Sequence, residues 1–278
     1  MTERPARPAT EFLITKEYRR FAEFCDACHR YRYIGLCYGL PGVGKTLSAR
    51  YYAHWDLLET VLLPYPTNGA IPPLVTTCHT LVYTPSVTTS PERIGREVRK
   101  LRFALGWAAE DVRPPPIDRS AAPADRYHPF PAPDVTELLI IDEADRLRMT
   151  GLEHLRDIYD HSSLGLIFIG MPGLEKRLAR YPQLYSRVGF VHHFRPLSPE
   201  EMQFILQHKW QQVGLALAPD DFTDAEAVAA IARITNGNFR LIQRLFAQIE
   251  RILQINNLRT ITREVVETAR EGLVIGPS

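Results

Sequence analysis

The chain has 278 residues, 45% of them hydrophobic and 23% charged, with 33 Lys and Arg against 32 Asp and Glu for a formal net charge of +1. That size suits one large domain, or a medium one with a small satellite, around a packed core; the near-neutral total does not announce a nucleic-acid binder, yet it leaves room for a local basic face. No run of about 18 apolar residues offers a membrane-spanning helix, and residues 1–10 lack the apolar centre of a signal peptide, so a cytoplasmic protein with no membrane partner and four reduced cysteines is expected.

Residues 1–30 read as an N-terminal extension, with a helix that puts Tyr18, Phe21 and Phe24 on its apolar side. Residues 33–38 form a short apolar run ending at a glycine loop, the pattern of a buried strand, and a helix is expected over 45–58. Residues 64–73 are broken by Pro66, Asn68 and Gly69 and suit a turn or hairpin insertion, after which 80–83 read as a second core strand. Ser90 and Pro91 can open a helix running to about Ala104. The stretch from Arg113 to Pro133, headed by Pro114, Pro115 and Pro116, reads as a surface insertion, bounded more widely as 105–133. Apolar runs at 138–141, 166–169 and 189–194 supply three more strands.

Beyond Pro196 the pattern is wholly helical, and Ser198-Pro199-Glu200-Glu201 and Thr223-Asp224-Ala225-Glu226 both fit a capping box. Strands alternating with helices and then helices alone describe an α/β fold, a parallel sheet over 31–195 with a small α-helical lid over 196–278.

The chemistry concentrates in Gly39, Leu40, Pro41, Gly42, Val43, Gly44, Lys45 and Thr46, between a predicted strand and a predicted helix. Glycines there let backbone N–H groups converge on a phosphate at a helix N-terminus. Lys45 can reach the β and γ oxygens and the Thr46 hydroxyl can ligate Mg²⁺, with Leu47 following in the same turn. The complementary acid should end another strand. Glu137-Leu138-Leu139-Ile140-Ile141-Asp142-Glu143 supplies it, with Asp142 as the metal residue and Glu143 placed to activate water. ATP and Mg²⁺ are the expected ligands, and ATP hydrolysis the expected reaction.

On these residues, together with Leu166-Ile167-Phe168-Ile169-Gly170 and Gly237-Asn238-Phe239-Arg240, the chain resembles the AAA+ ATPases over roughly residues 11–275. Within them it is most similar to transposon regulator ATPases of the TnsC, TniB and MuB type. The resemblance implies a five-stranded parallel P-loop sheet and a nucleotide shared between neighbouring subunits. It also implies an arginine finger at Arg187 acting in trans and a sensor-2 arginine at Arg240. One departure is plain: Gly170-Met171-Pro172 stands where many relatives carry a polar sensor-1 residue, and Met cannot donate that hydrogen bond, which points to slow hydrolysis or to another residue taking over.

The helix after Ser90 sets Ile94, Val98, Leu101 and Leu105 on one face and Arg93, Arg96, Arg99 and Lys100 on roughly the opposite one. A solvated charged face explains this pattern too. The resemblance implies contact with the phosphates of double-stranded DNA inside a ring or helical filament of the same chain, salt-sensitive and largely sequence-independent. The loop 84–89 could add hydroxyl contacts. Implied partners are a transposase and a target-selection adaptor protein. Competing expectations are an initiator or helicase-loader ATPase, and a signalling or scaffold module that binds ATP without DNA.

Three further patterns are set aside. Cys25-Asp26-Ala27-Cys28-His29 spells a haem-attachment motif, but no export signal or second Cys pair accompanies it, and a helix would pack both cysteines beside Phe21 and Phe24. Asp142-Glu143-Ala144-Asp145 spells a helicase signature whose enzymes need two motor domains. The run Pro114 to Pro116 suits an insertion better than a docking motif.

Overall fold

The computed structural model describes residues 12–63, 70–112, 133–218 and 220–273; the expectations for 64–69 and 113–132 lie outside them. The chain divides into two compact units, one of Arg20–Gly39 and Lys45–Phe194, the other of Met1–Arg19, Leu40–Gly44 and Arg195–Ser278.

The first unit is built on five strands, β1 (Ile34–Tyr38), β2 (Thr80–Tyr83), β3 (Leu138–Ile141), β4 (Gly165–Gly170) and β5 (Val188–His193). They pair in parallel in the order β2-β3-β4-β1-β5. Every residue of β3 and β4 is buried, which is why both read as continuous apolar runs instead of alternating ones. The edge strand β5 alternates between half-buried and exposed positions.

The helix expected inside a leader is α1 (Lys16–Tyr31), and from Arg20 onward it belongs to the sheet unit. Phe21, Cys25 and Cys28 are fully buried and Phe24 is 8% exposed, so the segment covers the core and is no appended extension. The single helix expected over 45–58 is two, α2 (Lys45–Tyr52) and α3 (Trp55–Leu62). His54 between them adopts φ 50°, ψ 33°, and this left-handed step turns Trp55, Leu58, Val61 and Leu62 inward. Arg50 spans the break by pairing with both Asp56 and Glu59.

Helix α4 (Pro91–Val112) runs well past Ala104, because Leu105, Ala108 and Ala109 continue its buried stripe; residues 105–112 are therefore helix, not insertion. Three helices that the sequence pattern does not announce complete this unit, α5 (Met149–Asp160), α6 (Leu174–Leu178) and α7 (Pro182–Tyr185), with short 3-10 turns at Pro73–Thr77 and Ala144–Arg146. Helix α4 packs on α5 and touches β2.

The second unit carries α8 (Pro199–Gln212), α9 (Phe222–Thr235), α10 (Phe239–Asn256) and α11 (Arg263–Glu271) around Trp210, Ile231, Ile242, Leu245 and Ile249. The box at Ser198 forms as expected: its hydroxyl accepts from the Glu201 amide while the Glu201 carboxylate accepts from the Ser198 amide. The other oxygen of that carboxylate accepts from the Glu17 amide at 2.7 Å, so one side chain caps two helices. The box at Thr223 does not form. Asp221 caps α9 instead, its carboxylate accepting from the Thr223 and Asp224 amides, and a carboxylate two residues upstream leaves Thr223 inside the first turn.

Candidate nucleotide site

The sheet unit places Lys45, Thr46, Asp142 and Glu143 at the carboxyl ends of β1 and β3. Parallel strands present their ligand-facing loops at that end. Lys45 Nζ donates to the Gly39 carbonyl at 2.6 Å. Gly39 admits no side chain, since an added Cβ would lie 2.2 Å from the Phe194 carbonyl oxygen. Thr46 Oγ1 donates to Asp142 Oδ2 at 2.7 Å, and the Glu143 amide donates to Asp142 Oδ1 at 2.9 Å.

Asp142 is 3% exposed, and burial holds its carboxyl above the usual carboxylate range against the lowering effect of those two hydrogen bonds. A buried carboxylate beside a hydroxyl, with a lysine one residue from that hydroxyl, is a hard-oxygen donor set facing a positive charge. Mg²⁺ with a polyphosphate fits that chemistry.

The loop between, Leu40–Gly44, belongs to the other unit. Gly42 and Gly44 sit at φ 81° and 116°, a region that side chains strain to enter. There α10 starts against the loop. The Arg240 amide donates to the Gly42 carbonyl at 3.0 Å, and Asn238 Nδ2 donates to the Pro41 carbonyl at 2.8 Å while its Oδ1 caps Leu241. Val43 is buried. Leu40 is exposed, as is Leu47 at the start of α2 in the sheet unit. In the sequence Asn238 belongs to a lid motif and has no role of its own. Its position immediately before a helix is the available signal.

Glu143 adopts φ 53°, ψ 43°, and its carboxylate is paired with Arg146, whose guanidinium also donates to the Pro85 carbonyl at 3.1 Å. Beside it, Asp145 accepts from the Met171 amide at 2.8 Å and its own carbonyl accepts from Arg177. An acidic side chain thus stands at the place where the sequence offers only Met171, and nothing in the local spacing marks Asp145 or Arg177 for that position.

Arg187 is not free in this chain. It pairs with Asp160 at 2.6 Å and donates to the Gln183 carbonyl. Of the four basic residues singled out on α4, Arg93 pairs with Glu97, which also accepts from the Tyr83 hydroxyl, and a fifth, Arg102, pairs with Asp134. Arg96, Arg99 and Lys100 instead come together along one cavity. In the loop 84–89, Thr84 and Thr88 are exposed while the Ser86 and Thr89 hydroxyl oxygens are buried. Cys25 and Cys28 are buried thiols, burial pushing Cys28 up to about 12, and among the described residues no cluster could hold a metal through His, Cys, Asp and Glu alone. No described helix is long and apolar enough to cross a membrane.

A family described as "AAA domain" matches residues 28–178. A "Potential ATP-binding protein" of Staphylococcus aureus is 48% identical over 274 residues, 95% of this chain and 97% of that one. The "Mu-like prophage FluMu DNA transposition protein B" of Haemophilus influenzae is 24% identical over 248 residues, 86% of this chain and 72% of that one. Among solved structures, the Thermotoga maritima RuvB Holliday junction branch migration motor superposes with a TM-score of 0.58 at 17% identity, covering 95% of this chain and 71% of that one, a likeness of fold. With a glycine loop at the end of β1, an acid at the end of β3 and strands in the order 2-3-4-1-5, the chain belongs to the AAA-domain family of P-loop, ATP-binding proteins.

Proposed function

We propose that this protein is an ATPase regulator of DNA transposition: with ATP bound it assembles on duplex DNA, it recruits or activates a transposase and meets a target-selection adaptor, and hydrolysis releases it. The observation that carries this reading is the union of the Lys45, Thr46 and Asp142 constellation with three exposed cations on α4, a helix packed on the same sheet. The Haemophilus relative, named for DNA transposition, points the same way.

In this reading the loop Gly39, Leu40, Pro41, Gly42, Val43, Gly44 and the first residues of α2, through Leu47, cradle the phosphates by their backbone N–H groups, except Pro41, which has none and shapes the turn. Lys45 neutralises oxygen charge, and Arg240 reaches the phosphates from the start of α10. Thr46 and Asp142 would hold Mg²⁺, which when bound supplies positive charge shared between phosphate oxygens. Glu143 orients the attacking water and takes its proton, which requires that its carboxylate leave Arg146. Arg187 acts on the nucleotide of a neighbouring copy after exchanging Asp160 for the phosphate. Both ion pairs are exposed enough to exchange readily, since surface pairs are worth only about 0–1 kcal/mol.

Electron microscopy with duplex DNA and a slowly hydrolysed ATP analogue tests the assembly step; rings or filaments that need both ligands are expected. Stimulation of a transposase in the same mixture tests the partner. Assembly indifferent to nucleotide, or no DNA binding with ATP bound, refutes the reading.

A further inference from the structure

Helix α4 carries a stripe that nucleotide chemistry leaves unused. Arg96, Lys100, Phe103 and Trp107 follow one another at spacings of four, three and four with Arg99 beside them, and together with His154 of α5 they line a cavity of about 570 Å³. One half of the stripe is cationic and the other aromatic. The Phe103 and Trp107 rings lie with centroids 6.0 Å apart, tilted by 40°. Gly95 also lines it; a Cβ there would stand 2.4 Å from His154 Nε2, so glycine lets the imidazole lie against the helix. Glu92 is the one carboxylate among the described lining residues, facing three cations.

An adjoining cavity of about 360 Å³ shares Gly95, Arg99, Phe103 and His154, yet there Asp134 and Asp157 balance Arg99 and Arg102, with Arg102 paired to Asp134. The surplus of positive charge is therefore confined to the first cavity and does not continue into the second. The occupant is short, anionic at one end and flat at the other. The helix rises ~4.5 Å from Lys100 to Phe103 and ~10.5 Å to Trp107, the scale of a nucleotide from phosphate to base. In regular duplex DNA the bases are paired and stacked, and only phosphates could reach this wall. An unpaired base can leave the stack and lie on an aromatic side chain, with cations holding its phosphate. An aliphatic anchor on an acidic peptide would satisfy the charge but not use the rings.

We propose that this cavity binds one unpaired nucleotide, its phosphate on Arg96, Arg99 and Lys100 and its base on Phe103 and Trp107. The inference rests on the reading that α4 faces DNA and sharpens it: the protein holds locally unpaired DNA in preference to regular duplex.

Trp55 and Trp210 are 4% and 1% exposed while Trp107 is half-buried, so quenching of tryptophan emission reports on this cavity. The full chain with a slowly hydrolysed ATP analogue is titrated with a short duplex and with the same duplex carrying a two-thymidine bulge. The bulged DNA should bind about tenfold more tightly and quench emission. Phe103→Leu and Trp107→Leu should each bring the affinity ratio to one, read by anisotropy of labelled DNA because Trp107→Leu removes the emitting reporter. Equal affinities in the unsubstituted protein, or a preference surviving both substitutions, overturns the proposal. If neither DNA binds, the DNA reading fails by itself, and 5′-phosphorylated dithymidylate then judges the cavity. Saturable quenching that is lost in Arg96→Gln with Lys100→Gln, two exposed side chains, sustains it; absence of quenching overturns it. Quenching by a glutamate–leucine repeat peptide and none by dithymidylate assigns the cavity to an acidic partner segment and overturns it equally.

Discussion

Replacing Asp142 by Asn separates the two things this side chain does. In the folded chain its carboxylate is 3% exposed and accepts from Thr46 Oγ1 and from the Glu143 amide. An amide of the same shape keeps an acceptor for Glu143, and the Thr46 hydroxyl can turn to accept from the new N–H. The hydrogen-bond change is then about 1 kcal/mol or less. Removing the charge also removes the burial penalty that lifts the carboxyl above its usual range.

The ligand-free protein should therefore melt within a few degrees of the original. The raised folded value means that ionised Asp142 disfavours folding above that range. The penalty fades as pH falls through it, so the substitution should take that component out of the acid limb of stability. Mg·ATP acts in the opposite sense. At one hundred times Kd it stabilises a binding-competent protein by about 2.7 kcal/mol, a rise in Tm of about 5–10 °C for a chain this size. Asp142→Asn should lose most of that rise, as should the original protein in a chelator. Differential scanning fluorimetry across pH 4–8, about the range where carboxylates complete their titration, measures both arms. A variant that keeps the full Mg·ATP shift refutes the metal assignment, and a ligand-free loss of several kcal/mol refutes the reasoning about the buried charge.

Glu143→Gln should bind Mg·ATP normally yet hydrolyse it at least about 100-fold more slowly, visible as phosphate release that stays flat while a DNA-bound oligomer persists. Arg187→Ala should lower DNA-stimulated turnover about 1,000-fold and make the remainder independent of protein concentration, while melting shifts little because the Asp160 pair is part-exposed; wild-type, concentration-independent turnover returns Arg187 to a surface ion pair. Arg96→Glu with Lys100→Glu should weaken duplex binding and reduce the slope of log K against log salt by about 2, measured by anisotropy. Asn238→Ala removes both the cap of α10 and the bond to the Pro41 carbonyl, and should cost about 1–2 kcal/mol in thermal melting together with weaker ATP binding.

Much of the architecture is legible in the amino-acid sequence. Strands β3 and β4 are buried on both faces, so their residues form short apolar runs that stand out between polar turns. The glycine loop reads equally well, because φ values of 81° and 116° leave almost no choice but glycine at 42 and 44. Helix ends read less well. Ala104 looks like an end because the polar and proline-rich stretch begins soon after, whereas the buried Ala108 and Ala109 hold the helix together to Val112. At His54 the break depends on which way Trp55 must face, and propensity does not record that direction.

By itself the sequence determined the strands, the glycine loop, the Thr46 and Asp142 residues and the all-helical character of the described elements beyond Pro196. Each is written in local spacing, or in residue types that only one backbone geometry tolerates. Tertiary structure alone decided which charges meet. Arg187 meets Asp160, the Asp145 carboxylate meets the Met171 amide, and Asn238 reaches across 197 residues to the Pro41 carbonyl. It also decided that three cations and two aromatic rings share one wall with a histidine from another helix. Partners distant along the chain leave no periodic trace, because their encounter is set by how packed elements bring surfaces together.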